Sequence, residues 1–247
     1  MQEAGVHRVT TMSLRRAPLP FLTALPIAAI LVLALAGCGG GSGGSKVDPA
    51  TALKTAGQKL ADTSGVTLSL TTSDLPDGVQ GVKAAAGTVT NAPAFDGTLT
   101  AVISAGTFQV PVKSVDGKVY AKIPLTPAFA EINPADYGAP DPGLLTSADK
   151  GIPAIVDATT EATSGDQIRG GTDNKEVLST YTGTVPGTAV GNLIPGASGD
   201  FKATYGIADN GELRQASLTG LFYNGQPSMT YTLVLTDYGT STDIAAP

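Results

Sequence analysis

The chain contains one histidine, His7, and one cysteine, Cys38. Cys38 closes the sequence Leu35-Ala36-Gly37-Cys38, in which small residues lead from an apolar run into a lone thiol. That arrangement suits lipoprotein processing: the thiol is acylated, and a cut before it makes Cys38 the first residue of the mature chain. An acylated sulfur is no longer a nucleophile, and a single cysteine forms no intramolecular disulfide. His7 lies on the discarded side of the cut, so no imidazole is left for a catalytic triad or a His-containing zinc site. Acid–base chemistry then falls to carboxylates, Lys or Tyr.

The carboxylates do not assemble into a recognisable centre. Asp173-Asn174 and Asp209-Asn210 lack the repeated oxygen ligands of a calcium loop and read as turns. Asp136 and Asp141 fall in a loop with no visible partner and read as solvated charges or helix caps. The Thr159–Ser164 stretch reads as polar surface at a helix end. No Gly-rich phosphate loop with a Lys is present. We expect no cofactor and no metal.

Charge narrows the partners. The chain has 15 Lys and Arg against 21 Asp and Glu. Removing residues 1–37 takes away three arginines and one acid, which leaves net −8 with 12 basic and 20 acidic residues. Clustered cations for phosphate are lacking, so nucleic acid is excluded as a partner. A polybasic surface for anionic lipid is lacking too. Membrane attachment would come from a lipid on Cys38.

Three segments follow. Residues 1–37 have the parts of a signal peptide: Arg15-Arg16, then an apolar stretch from about Phe21 to Leu35, broken by Pro26 and shorter than the ~20 residues of a spanning helix. An uncut signal anchor is the plain alternative, and Met12 offers a second possible start. The residues after Arg15-Arg16 match twin-arginine export poorly. Residues 38–47 are the lipidated cysteine and a Gly/Ser-rich flexible tether. Residues 48–247 form one domain.

In that domain Asp48-Pro49 caps a helix, with Ala52, Leu53, Ala56 and Leu60 at helical spacing. From Val66 the period becomes two. Expected strands are Val66–Leu70, Val82–Thr90, Phe95–Ser104, Thr107–Val115 and Lys118–Ile123, with Asp116-Gly117 as a hairpin turn. Pro124–Pro142 is a packed Pro-rich loop. Short helices follow at Asp141–Leu145 and at Ile152–Thr159, the second ending before Gly165. Further strands are Asp166–Arg169, Glu176–Thr184, Asp200–Ala208, Leu213–Phe222 and Ser228–Thr236, with one more possible at Thr240–Ile244. A small helix is expected near Leu193. Helices cluster rather than alternate with strands, so the fold class is α+β with an antiparallel sheet. Small residues recur at inward positions (Ala84, Ala86, Ala101, Ala121, Ala203, Gly220). Periodicity alone does not separate a cavity from a filled core.

The order of these features resembles the LppX/LprA/LprF/LprG lipoproteins of mycobacteria and other actinobacteria. The matching points are Leu35–Cys38, the helix after Pro49 with the Val66–Leu70 strand, Val115–Tyr120, Tyr137 to Leu145 with Asp149–Ile152, and Leu233–Gly239. Many members have Trp where this chain has Tyr238. The resemblance implies a strongly curved antiparallel sheet, a half-barrel, with helices covering its concave face around an apolar cavity. It implies acyl-lipid ligands, such as triacylglycerol, phosphoinositide-mannosides or similar glycolipids, carried across the envelope, with a membrane lipid transporter as a possible partner. It places the protein on the cell membrane, facing the periplasm or cell-wall side.

Strand alternation and the helix stripe then nominate the cavity lining: Leu68, Leu70, Leu99, Ile103, Phe108, Val110, Ile123, Ile152, Ile155, Val156, Leu193, Phe201, Tyr205, Leu218 and Leu233. The Pro124–Pro142 loop and the helices after it would form the mouth. Two other readings stay open: a scaffold lipoprotein with a filled core that binds protein partners, and a carboxylate-based hydrolase, which needs two convergent acids in a cleft.

Overall fold

The computed structural model of the protein describes residues 47–124, 126–171 and 174–247. The signal segment, Cys38, the tether up to residue 46, and Leu125 and Asp173 lie outside the described residues.

Helix α1 (Pro49–Asp62) starts where the Asp48 carboxylate accepts from both the backbone N–H and the hydroxyl of Thr51, each at 3.0 Å. Its apolar stripe, Ala52, Leu53, Ala56 and Leu60, is buried. Gly57 lies on the same face. A Cβ there would stand 3.4 Å from the Pro153 carbonyl oxygen and 3.8 Å from Val156 Cβ, so the missing side chain lets the helix of Ile152–Asp157 approach closely.

The first half of the sheet is β1 (Gly65–Thr71), β2 (Gly81–Thr90), β3 (Ala94–Ile103), β4 (Gly106–Val115), β5 (Lys118–Ala121) and the three-residue β6 (Ala130–Ile132). Two single turns of 3-10 helix, Pro134–Tyr137 and Pro142–Leu144, lead to α2 (Ile152–Asp157). The second half is β7 (Thr160–Gly170), β8 (Glu176–Pro186), α3 (Gly187–Gly191), β9 (Ser198–Ala208), β10 (Leu213–Leu221) and β11 (Met229–Thr236). All strands join in one antiparallel sheet in the order β6-β5-β4-β3-β2-β1-β11-β10-β9-β8-β7. The first and last strands of the chain, β1 and β11, meet in its middle and join the two meanders. The sheet is open, with β6 and β7 at its edges. At the β4–β5 hairpin Asp116 and Gly117 have φ of 53° and 72°, the left-handed pair that a two-residue turn needs to match strand twist.

Register produces one long cross-strand row. Val110 faces Leu99, Leu99 faces Ala85, Ala85 faces Leu70, and Leu70 faces Leu233. Leu233 then faces Ala216, Ala216 faces Tyr205, and Tyr205 faces Tyr181. Directly opposed side chains are the unit of sheet stabilisation. Here they form an apolar band across eight strands.

Four expectations change. β7 begins at Thr160, where the sequence suggested a helix running on toward Gly165; α2 ends at Asp157. β7 is an edge strand exposed along nearly its whole length. With no buried face it carries no apolar alternation, only the β-branched Thr residues. β6 forms inside the Pro-rich loop, too short to show a period. Residues 240–244 form no strand. Leu193 lies just past α3 rather than in it, in a turn where its N–H donates to the Val190 carbonyl.

Candidate functional site

One cavity of about 520 Å³ opens among side chains of β1–β6, β9–β11 and α2, with contributions from Val190 of α3 and from the Pro-rich segment. Most of the apolar row lies on its wall, from Val110 through Leu99, Ala85, Leu70, Leu233 and Ala216 to Tyr205. Strand parity accounts for much of the rest: Ala101 and Ile103 follow Leu99, Phe108 and Val112 flank Val110, and Leu218 follows Ala216.

α2 reaches the cavity through a built turn. The Asp141 carboxylate accepts from the Gly143 backbone N–H at 2.9 Å and from the Ser114 hydroxyl of β4 at 2.5 Å. Ser114 is fully buried, and a Cβ on Gly143 would stand 2.7 Å from its oxygen. The turn is thus pinned to the sheet. The Ile152 N–H then donates to the Leu145 carbonyl at 2.9 Å, which starts α2 at a fixed place. Ile152, Ile155 and Val156 consequently lie on the cavity wall. Asp141 is a structural cap, while Asp136 accepts from the Asn133 amide at 3.1 Å in the preceding turn. The two acids do not converge on a common centre.

Of the residues nominated from sequence, Leu68, Leu70, Leu99, Ile103, Phe108, Val110, Ile123, Ile152, Ile155, Val156, Leu193, Tyr205, Leu218 and Leu233 all border this cavity. Phe201 does not. Its ring is fully buried, fills the space left by Gly220, and packs edge-on against Phe222 with centroids 4.7 Å apart. Phe201 shares strand parity with Tyr205, but parity fixes only the face of the sheet and not what covers it.

The nomination left out other wall residues, among them Ala85, Val112, Ala216, Tyr231 and Tyr223. Tyr231 sits on the same face of β11 as Leu233 and was readable from alternation. Tyr223 follows the end of β10 in a turn, and no periodic signal points to it. Ile123 and Tyr137 border the cavity and are also exposed, at 37% and 61%, so the cavity meets solvent beside them.

The electrostatics are those of a dry, neutral wall. Among the described residues no Lys or Arg borders the cavity, and the only acid that does is Asp136, which is exposed. Burial pushes the Tyr205 hydroxyl up to about 12, against a smaller opposing effect of its 2.8 Å hydrogen bond with Thr159. Burial pushes Tyr231 well above the ordinary tyrosine range. Both stay neutral at physiological pH. A separate polar pocket contains Arg214, held by Glu176 and Glu212 at 2.8 Å each and stacked 5.4 Å over the Tyr238 ring. Its charge is already matched inside the fold. Among the described residues no group of three His, Cys, Asp or Glu side chains is placed to hold a metal ion.

Comparison with known proteins gives a consistent result. A family model described as LppX_LprAFG lipoprotein matches residues 48–244. Among solved structures the chain is similar to LprF from Mycobacterium bovis, at 16% identity and a TM-score of 0.65, covering 81% of this chain and 96% of that one. It is similar to the lipoprotein LppX from Mycobacterium tuberculosis at 18% identity and a TM-score of 0.59, covering 79% and 97%. At these identities the structural likeness bears on the fold alone. No curated protein matches the sequence.

Proposed function

The chain belongs to the LppX_LprAFG lipoprotein family, and from that premise we propose that it binds acylated envelope lipids or lipoglycans in its apolar cavity and carries or transfers them. Membership in a lipoprotein family makes it a membrane-anchored, envelope-associated protein. In this reading residues 1–37 are the removed signal, Cys38 carries the lipid anchor, residues 38–47 are the tether, and 48–247 are the carrier domain. It faces the periplasmic or cell-wall side and acts without enzymatic chemistry, with a membrane lipid transporter as a possible partner.

The observation that carries the reading is the cavity itself: about 520 Å³, walled mainly by aliphatic and aromatic side chains, with no cation among the described residues of its wall. Ligand pockets fall in the range of about 300–1,000 Å³. Each buried acyl methylene gains about 0.8 kcal/mol, so a long chain needs apolar cover and nothing more. The half-barrel shape has support of its own. From β6 to β9 the sheet order spans eight inter-strand steps, roughly 38 Å if laid flat. A single cavity of this size reaches side chains at both ends only if the sheet wraps around it. α2 and the turn after α3 border the same space and act as its roof, with the mouth beside Ile123 and Tyr137.

The test is mass spectrometry of lipids retained by the purified full chain. An acyl lipid in near-stoichiometric amount is expected. Retention of no lipid, together with no uptake of added acyl lipid, would sink the reading in favour of a scaffold.

The anchor has a separate test. One acyl chain holds a protein to a bilayer only marginally, whereas two or more hold it stably. Cys38→Ala is therefore expected to move the protein from the membrane pellet to the soluble fraction in cell fractionation. A variant that stays in the pellet would remove the lipoprotein anchor.

A further inference from the structure

Six wall residues carry polar side-chain atoms, and three of them, Gln80, Asp136 and Tyr137, are exposed. The inner three are tyrosines, and two of their hydroxyls are oriented by what they touch. Tyr231 has one proton and donates it to the Val82 carbonyl oxygen, 2.5 Å away, a group that can only accept. The 3.0 Å contact between the Tyr223 and Tyr231 hydroxyls therefore uses the Tyr223 proton, with Tyr231 accepting. Tyr223 is left with lone pairs and no proton to give. Tyr205 shares a 2.8 Å hydrogen bond with Thr159 in which either hydroxyl can donate.

The place of this chain in the fold gives it meaning. A side chain at Gly81 would collide with the Tyr223 hydroxyl, so that oxygen lies against bare backbone. Val82 faces Ala101, and Ala101 faces Phe108. These residues sit near the start of β2, the end of β3 and the start of β4, the end of the strands where Ile123 follows β5. The Tyr223 oxygen thus belongs to the end of the cavity that meets solvent, where the polar part of a bound lipid would be.

We infer that the Tyr223–Tyr231–Val82 chain is a hydrogen-bond-accepting subsite that selects lipids with a free hydroxyl next to their acyl chains. The inference rests on the lipid-binding reading and deepens it. A free hydroxyl donates to Tyr223. A capped oxygen sets its lone pairs against those of Tyr223, and no hydrogen bond forms between them. A site built to bond a hydroxyl discriminates against the analogue that lacks it.

The experiment compares 1,2-dioleoylglycerol with its 3-O-methyl ether, which has the same acyl chains and no donor. Each displaces a fluorescent palmitate analogue from the purified full chain, and the readout is the ratio of their midpoints. Dioleoylglycerol is expected to displace at a concentration about five-fold lower than the ether. Tyr223→Phe removes the accepting oxygen, and the ratio should fall to about one. Tyr231→Phe takes away the acceptor for the Tyr223 proton and frees it to bond the ether oxygen, so the ratio should again fall. A wild-type ratio of one overturns the inference. So does a wild-type ratio kept in Tyr223→Phe, or, where that variant does not fold, kept in Tyr231→Phe. Failure of the probe to bind at all overturns the lipid reading, and this inference with it; equal displacement overturns this inference alone.

Discussion

Leu70→Trp is expected to cut the affinity for an acyl lipid about ten-fold while leaving the fold nearly as stable as before. Leu70 lies in the middle of the apolar row, between Ala85 of β2 and Leu233 of β11, and is partly buried on the cavity wall. An indole there extends into the space an acyl chain would fill. Excluding two methylenes loses about 1.6 kcal/mol at ~0.8 kcal/mol each, and ~1.4 kcal/mol is a factor of ten in affinity. The stability measurement separates the two candidate interiors. In a filled core the larger ring overpacks its neighbours, at a cost of about 1–3 kcal/mol. In an open cavity it finds room, and urea unfolding should register a loss below ~1 kcal/mol. Lipid binding that survives the substitution unchanged would mean that the ligand lies elsewhere.

Why the cavity wall was legible, and its occupancy was not, follows from what alternation encodes. Along β3, β4 and β11 one face is apolar, so Leu99, Val110 and Leu233 announce their side of the sheet at every second residue. The central helix stripe works the same way for Ile152, Ile155 and Val156. Alternation does not report volume. Ala85, Ala101 and Ala216 sit at inward positions of a wide sheet, and whether their small size leaves a void or admits a closer neighbour depends on partners far away in sequence. Only the second half of β7 was legible, as the expected Asp166–Arg169 strand; the first half was not, because both of its faces meet water and its Thr and Ser residues carry no period. The Asp141–Ile152 segment is among the matching points of the resemblance. The structure assigns it a mechanical role, pinning a turn to Ser114 so that α2 starts in the right place. Tyr223 had no signal at all, because it stands in a turn and owes its position to the gap at Gly81.

Phe201 carries the other large expected effect, and it concerns stability first. The ring has no exposed surface, occupies the space over Gly220, and starts an aromatic stack that runs to Phe222 and on to Tyr231, with edge-on contacts at 4.7 and 4.8 Å. Removing a buried Phe side chain costs about 3–5 kcal/mol, the upper end applying where neighbours cannot collapse into the gap. Gly220 has no side chain to move into it and the strands on either side are hydrogen-bonded, so Phe201→Ala belongs toward that upper end. Against a typical total of about 5–15 kcal/mol, this is a large fraction of the folding free energy. Urea unfolding should show a lower midpoint with an unchanged slope, and a loss under ~1 kcal/mol would contradict the packing described for this ring. The stack gives a second readout. Phe222 and Tyr231 border the cavity, and Phe201 backs Phe222 from behind. Phe201→Ala should therefore also weaken the preference for a free lipid hydroxyl in the protein that remains folded. Leu213→Ala is the control: Leu213 is fully buried but does not border the cavity, so it should cost about 2–5 kcal/mol and leave the preference intact. If both variants left the preference unchanged, Phe201 would be a core residue and nothing more; if both weakened it equally, the preference would follow stability and not the position of Tyr231.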